Sequence, residues 1–138
     1  MLKIIQEEIE VRWDEEWLYQ TDKAWDAIHR CLTDGRLTAG NGDYPLNFCI
    51  LGGRALYSGD EYIVRLITAD QVIEVGHALV GVREADFHQN YWKIDSRGYG
   101  VALSEADLAY TWEYFSGLPE FFQRAAGAGR FVVFTADQ

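Results

Sequence analysis

The sequence predicts a single α+β domain in which a small sheet, mostly antiparallel or mixed, packs with about four to five helices. Three observations support this prediction. The chain has 138 residues, the length of one domain. Its hydrophobic fraction of 49% and aromatic fraction of 14% supply a core. Strand-like runs at the ends and the centre of the chain are separated by helical segments. We therefore treat residues 1–138 as one domain.

The beginning of the chain, an acidic segment, is open to two interpretations. Ile5, Ile9, Trp13 and Trp17 recur every four residues, as in an amphipathic helix. Ile9, Val11 and Trp13 also alternate with charged residues, as in a strand. We favour strand-like structure late in this segment.

The first clear helix follows this segment. Thr21 or Asp22 is placed to cap it, because a short side-chain oxygen accepts the unpaired amides of the first turn. Gly35 is placed to end it in the left-handed conformation. The apolar face of this helix comprises Trp25, Ile28, His29 and Leu32.

Three apolar runs predict strands. They are residues 48–51, which Gly52 and Gly53 stop, residues 62–67 and residues 131–134. The glycine-containing stretches 36–47 and 92–101 predict irregular loops.

Local signals also predict the later helices. Thr68 and Gln71 form a capping-box pattern, and the helix that they begin ends near Gly81. A short helix is expected around residues 83–91. Ser104 begins another helix, which Gly117 and Pro119 interrupt. A last helix follows and ends at Gly127 and Gly129.

The charge of the chain excludes some classes of function. A net charge of −10 repels phosphate backbones and anionic membrane surfaces, so we predict neither nucleic-acid nor membrane binding. Fully apolar runs reach only about five residues, far short of the roughly 20 that a membrane helix needs. Residues 1–26 carry eight acidic and three basic side chains, and so hold half of the net charge.

Cysteine usage suggests a compartment. Cys31 and Cys49 both lie in apolar stretches. A disulfide between them is not excluded, but a small secreted scaffold usually carries more cysteine. Reduced, buried thiols in a cytoplasmic protein are the favoured interpretation.

Several segments together resemble a known family. The run TDKAWDAIH at residues 21–29 is followed by a loop and by an apolar run that ends in Gly-Gly, within residues 46–53. Residues 62–79 and 113–134 add a strand, two helices and a closing strand. This pattern, over residues 20–135, resembles the bacterial YfbM-like domains of unknown function. The resemblance implies an α+β fold and a bacterial cytoplasmic setting, and it implies no catalytic residues.

His29 and Asp26 are the candidate catalytic residues. Asp26 lies three residues before His29 and can orient its imidazole across one helical turn, as a general base requires. A small hydrolase or transferase would then have Arg54 or Tyr57 facing its substrate. The alternative is a structural histidine that hydrogen-bonds the loop at residues 36–47 or the Gly-Gly turn.

A second hypothesis is a domain that senses a small ligand. Its candidate binding residues are Trp25, Gly52, Gly53, Arg54 and Tyr57. In the alternative interpretation, the two glycines allow a close approach of the first helix or a tight turn. The sequence contains no phosphate-cradling glycine pattern and no spacing typical of metal ligands, so we predict no cofactor and no metal.

The hypothesis that we favour is a non-catalytic interaction module. Trp13 and Trp17 flank the acidic triplet Asp14, Glu15 and Glu16. Tryptophan supplies contact area at protein interfaces, and carboxylates steer a basic protein partner. The class would be an inhibitor, an immunity-like protein or a regulatory factor. In the alternative interpretation, the tryptophans dock this segment on the core. The sequence does not determine the oligomeric state.

Overall fold

The computed structural model describes residues 17–57 and 61–137 of the chain. Within these residues, five α-helices and a three-stranded antiparallel sheet form an α+β fold, which confirms the predicted fold class. The helices are α1 (Trp25–Leu32), α2 (Ala69–Val80), α3 (Glu84–Tyr91), α4 (Glu105–Ser116) and α5 (Leu118–Gly127). The strands are β1 (Arg54–Ala55), β2 (Tyr62–Ile67) and β3 (Val132–Asp137).

Strand β2 lies in the centre of the sheet. It pairs with β1 on one side and with β3 on the other, both antiparallel. Its six residues are rich in β-branched and aromatic side chains, and all of them pair with β3, from Tyr62 opposite Asp137 to Ile67 opposite Val132. The prediction of a strand at residues 62–67 is therefore confirmed.

The last strand differs from its prediction in bounds and in burial. The sequence suggests a buried strand at residues 131–134, but β3 begins at Val132 and continues to Asp137. Phe131 precedes the strand and is 64% exposed. A closing strand is therefore confirmed, but its predicted bounds were wrong because the length of β3 is set by pairing with β2 and not by its own apolar run.

The predicted strand at residues 48–51 is wrong as well. Leu46–Phe48 forms a 3-10 helix, in which the Phe48 amide donates to the Pro45 carbonyl at 3.0 Å. The chain then folds back on itself and brings Gly52 against Phe48. A Cβ at Gly52 would lie only 2.2 Å from Phe48 Cα, so the bend requires glycine at this position. The run Cys49, Ile50 and Leu51 is buried as expected, but as a tight bend. Apolar character thus predicted its burial and not its shape.

The start of α1 also corrects a prediction. We expected Thr21 or Asp22 to cap the helix, but α1 begins at Trp25 without a side-chain cap. The Asp22 carboxylate instead accepts a hydrogen bond from the Tyr110 hydroxyl at 2.5 Å. The end of the helix is as predicted, because Gly35 adopts the left-handed conformation with φ +90°.

Helices α2 and α5 pack against each other. The capping box at the start of α2 is confirmed, since Thr68 Oγ1 accepts from the Gln71 amide and Gln71 Oε1 accepts from the Thr68 amide. Gly76 lies against Phe122, where a Cβ would be 3.4 Å from the phenylalanine side chain. Helix α2 ends at Val80, before Gly81, as predicted.

Helices α1, α3 and α4 pack around an aromatic cluster. The rings of Phe87 and Phe115 are stacked with centroids 4.7 Å apart, and Tyr91 is fully buried beside them. Leu108 is buried as predicted, whereas Trp112 is only partly buried. Burial of one such side chain contributes about 1.5–3 kcal/mol, so this cluster is a major source of stability.

The junction between α4 and α5 positions the segment at residues 17–22. Helix α4 ends at Ser116, and α5 begins at Leu118 with Pro119 in its first turn, which confirms the predicted interruption. Gly117 lies under the ring of Tyr19, where a Cβ would be 2.6 Å from the tyrosine hydroxyl oxygen. The absence of a side chain at Gly117 thus lets Tyr19 pack on the junction.

Candidate functional site

His29 is fully buried and holds a loop. Its Nε2 lies 2.8 Å from the Thr38 carbonyl oxygen and 2.9 Å from Asn41 Oδ1. A carbonyl oxygen only accepts, so Nε2 carries the hydrogen and Nδ1 is an acceptor. Nδ1 has no hydrogen-bond partner among the described residues. This geometry fits the alternative interpretation, in which His29 is a structural histidine that hydrogen-bonds the loop at residues 36–47.

Asn41 extends this network through the loop. Its amide nitrogen donates to Asp34 Oδ1 at 2.6 Å and to Thr33 Oγ1 at 3.0 Å. The backbone carbonyl of Asn41 accepts a hydrogen bond from Asn47 Nδ2 at 3.1 Å. His29 and Asn41 therefore fix the loop from inside, and the imidazole is closed to solvent.

Asp26 does not orient His29. Its Oδ1 accepts instead from Arg30 Nε at 2.6 Å, one helical turn further along α1. Arg30 is buried, and it also donates to the Asp95 carbonyl at 2.8 Å, while Tyr99 covers its guanidinium at 5.3 Å. The expected Asp26–His29 contact was wrong because the buried guanidinium of Arg30 requires a carboxylate partner, and Asp26 supplies it.

Both cysteines are buried free thiols. Burial raises the pKa of the Cys31 thiol and of the Cys49 thiol far above the usual range. A thiol held in the protonated form is a poor nucleophile. This agrees with the predicted inert, buried cysteines.

The two glycines among the five candidate ligand-binding residues make close contacts within the fold. Gly53 adopts φ +77°, and a Cβ there would lie 2.2 Å from the Leu66 carbonyl oxygen, so the close approach is to β2 and not to α1 as expected. The Gly52 and Gly53 carbonyls accept from Arg65 at 3.3 and 2.8 Å. These contacts turn both carbonyl groups toward the protein.

The other three of these residues lie apart. Trp25 is half-buried, with its ring 5.7 Å from that of Phe134. Arg54 is exposed on β1, and the ring of Tyr57 lies 5.9 Å from that of Tyr62. The role of these residues in ligand binding stays a prediction.

A cavity of about 470 Å³ lies elsewhere, between residues 17–22, α5 and the beginning of β3. Of the predicted site residues, only Trp17 lines it. The remaining lining comes from segments that are far apart in the chain, namely residues 18–22, 49–50 and 130–135 together with Leu118, Phe121, Phe122 and Ala125 of α5. The sequence predicts a helix cap at Thr21 or Asp22 and buried apolar runs at residues 48–51 and 131–134, and no local pattern distinguishes a cavity wall from a filled core.

Trp17 lies at the edge of this cavity and carries a cation on its ring. The guanidinium carbon of Arg130 is 3.7 Å from the centroid of the indole. Guanidinium groups stack on tryptophan through cation–π attraction. The other predicted partner-binding residues, Trp13, Asp14, Glu15 and Glu16, lie outside the described residues.

Aromatic and acidic side chains of α4 lie against Tyr19 and Asp22, which follow Trp17 closely in the chain. The Tyr19 hydroxyl donates to the Tyr114 carbonyl, and the Tyr110 and Tyr114 rings are 5.0 Å apart. Asp22 and Glu113 are exposed beside these rings. We call this set the acidic–aromatic surface, and it comprises Trp17, Tyr19, Asp22, Tyr110, Glu113 and Tyr114.

Two tyrosine hydroxyls of this surface have raised pKa values. Burial raises the pKa of Tyr19, and neighbouring Tyr114 and Glu113 raise it further. Burial also raises the pKa of Tyr110, and its hydrogen bond to Asp22 adds to the increase. Tyr19 and Tyr110 therefore stay protonated at neutral pH and donate to the Tyr114 carbonyl and to Asp22.

The described part of the chain offers neither a metal-binding cluster nor a membrane-spanning helix. Residues 17–57 and 61–137 contain no group of three or more side chains that could hold a metal ion. No helix of this part is both long and apolar enough to cross a bilayer.

Comparisons with known proteins give a family and no relative of known function. The family model described as a domain of unknown function, DUF1877, matches residues 1–135. No curated protein and no solved structure matches the chain. The YfbM-like name and a bacterial origin stay predictions.

Proposed function

The chain belongs to the DUF1877 family of domains of unknown function, and we propose that it is a non-catalytic interaction module that binds a basic protein partner through the acidic–aromatic surface. An inhibitor, an immunity-like protein or a regulatory factor is the class of protein that fits this role. The family supplies no activity, so the proposal rests on the surface itself. The observation that carries it is the guanidinium of Arg130 on the ring of Trp17.

This contact shows the kind of group that the surface accommodates. Arg130 is solvent-exposed, so its side chain can leave the indole without uncovering the core. An arginine of a partner can then make the same contact with Trp17. Such a cation–π contact contributes about 0.5–1 kcal/mol at an exposed site and more when it is shielded from water.

The acidic residues of this surface are available to a partner. Elsewhere in the described chain, five arginines each have a carboxylate within 4.0 Å, namely Arg30, Arg36, Arg83, Arg97 and Arg124. Asp22 and Glu113 make no such ion pair with the described residues. Exposed carboxylates of this kind mainly accelerate and orient the approach of a basic partner. The acidic triplet 14–16 directly precedes Trp17 in the chain and adds to the same charge.

A peptide of nine arginines tests the proposal by fluorescence anisotropy. The site variant carries Trp17→Ala, Asp22→Asn and Glu113→Gln. The control variant carries Trp92→Ala, Asp43→Asn and Glu105→Gln, which remove an equally large ring and the same charge from other exposed positions. Asn is chosen at Asp22 because it tolerates the positive φ of 49° at this position.

We expect the site variant to bind the peptide roughly tenfold more weakly than the wild type, from one cation–π contact and two surface charges. The control variant should lose no more than about twofold, since it changes only the overall field. Equal losses in both variants would show that net charge alone binds the peptide, and would refute the proposed surface. Far-UV circular dichroism establishes that both variants are folded.

The acidic segment needs a separate variant. Replacing Trp13 by Ala and Asp14, Glu15 and Glu16 by their amides should release a partner that the tagged wild-type protein retains from its native cell. The control variant above should still retain it. If both the site variant and this variant still retain the partner, the partner binds another surface. That result would contradict the assignment of the acidic–aromatic surface and the acidic segment as its binding site.

A further inference from the structure

We propose that the cavity beside residues 17–22 binds a small apolar molecule that carries one carboxylate, and that Arg130 holds this carboxylate at the cavity mouth. This site is separate in chemistry from the binding of a basic protein. It takes a small anion with an apolar body, whereas the acidic–aromatic surface takes cations.

The size and the lining of the cavity fit a small organic molecule. Its volume of about 470 Å³ lies in the range of about 300–1,000 Å³ that is typical of ligand sites. Most of its wall is apolar, including Ile50, Leu118, Phe121, Phe122, Val132 and Phe134. An apolar body that enters it leaves water for a largely hydrocarbon surface, which is the main source of favourable free energy.

The charges at the mouth select the polar group of the ligand. Arg130 and Asp22 are the charged residues of the described lining. Asp22 already accepts from the Tyr110 hydroxyl at 2.5 Å, whereas Arg130 has no carboxylate within ion-pair distance in residues 17–57 and 61–137. A ligand carboxylate at the mouth therefore meets a guanidinium whose charge is not paired within the described residues.

Trp17 prepares Arg130 for this role. The indole lies 3.7 Å from the guanidinium carbon and covers one face of its plane. The edge of a guanidinium carries the N–H groups that bind a carboxylate in pairs. Stacking occupies the face and leaves the edge for the ligand.

Octanoate and 1-octanol are the probes, because they differ in the carboxylate and share the apolar chain. Binding to the full chain is measured by isothermal titration calorimetry for the wild type, Arg130→Gln and Arg36→Gln. Arg36 is an exposed arginine remote from the cavity lining, so its replacement changes the net charge equally. A third variant, Ala125→Leu, fills part of the cavity from its buried wall.

We expect Arg130→Gln to weaken octanoate binding roughly fivefold, as one exposed ion pair allows, and to leave octanol binding unchanged. Arg36→Gln should change neither. Ala125→Leu should weaken both probes, and hexanoate should bind the wild type more weakly than octanoate by about fourfold per methylene.

Three results would overturn the proposal. They are no binding of octanoate to the wild type, equal losses in Arg130→Gln and Arg36→Gln, and equal losses of octanoate and octanol in Arg130→Gln. If Ala125→Leu does not fold, the comparison of the two probes in Arg130→Gln decides alone. A failure here leaves the arginine-peptide assay unaffected, because that assay measures a different probe.

Discussion

Two ion pairs of equal length but different burial allow a sharp test of the fold. Arg30 Nε lies 2.6 Å from Asp26, and Arg36 Nη2 lies 2.6 Å from Asp34. The side chains of the first pair are 3% and 22% exposed, and those of the second are 62% and 36% exposed. Distance alone predicts equal effects of removing either arginine, whereas burial predicts very different ones.

Replacing Arg30 by Met should cost about 3–5 kcal/mol of unfolding free energy, because it leaves the Asp26 carboxylate and the Asp95 carbonyl without their donor. Replacing Arg36 by Met should cost at most about 1 kcal/mol, since water solvates the carboxylate that remains. A domain of this size has a total stability of about 5–15 kcal/mol. The first variant therefore loses a large share of it.

Urea denaturation of both variants and of the wild type, followed by tryptophan fluorescence, measures the two losses. The slope of the unfolding free energy against urea should stay constant, so that the midpoints report stability directly. Losses that agree within about 1 kcal/mol would refute the argument that burial decides the strength of the pair.

Three further predictions follow from local geometry. Hydrogen bonds from Arg97 hold the pKa of Asp95 at about 2, so this carboxylate stabilises the fold fully above its unfolded pKa of about 3.9 and loses that effect as the pH falls through 2. Arg97→Ala should raise the Asp95 pKa toward about 3.9 in a carboxyl NMR titration, and an unchanged pKa would contradict this assignment. Gly53→Ala should cost more than about 2 kcal/mol in thermal unfolding, from a positive φ and a clash with the adjoining strand, and a smaller loss would show that the turn relaxes. Cys31 and Cys49 should react with a thiol reagent only in denaturant, because burial keeps them protonated, and fast reaction of the native protein would exclude this.

The parts of the fold that were predicted correctly depend on neighbours in the chain. The capping box of Thr68 and Gln71 spans three residues, and the strand at residues 62–67 shows its β-branched composition locally. The left-handed Gly35 is also a local feature. Each of these signals acts over one or two turns, so the sequence contains all the information that they need.

The wrong predictions concern residues whose contacts are decided either by segments far away in the chain or by competition between two neighbouring side chains. The run at residues 48–51 is as apolar as a strand, but it bends because Gly52 packs on Phe48. Asp26 has both His29 and Arg30 within one helical turn, and burial of the guanidinium decides the pairing. Nothing in the spacing of the residues reveals which side chain will be buried.

The sequence by itself determined the α+β class, most helix boundaries, the buried cysteines and an acidic, tryptophan-containing beginning of the chain. Only the tertiary structure decided that His29 closes a loop, that Trp17 meets Arg130 and that a cavity opens between them and α5. The physical reason is range. Propensities, caps and charges act between neighbours in the chain, whereas a cavity and its rim are formed by segments that meet only when the core is packed.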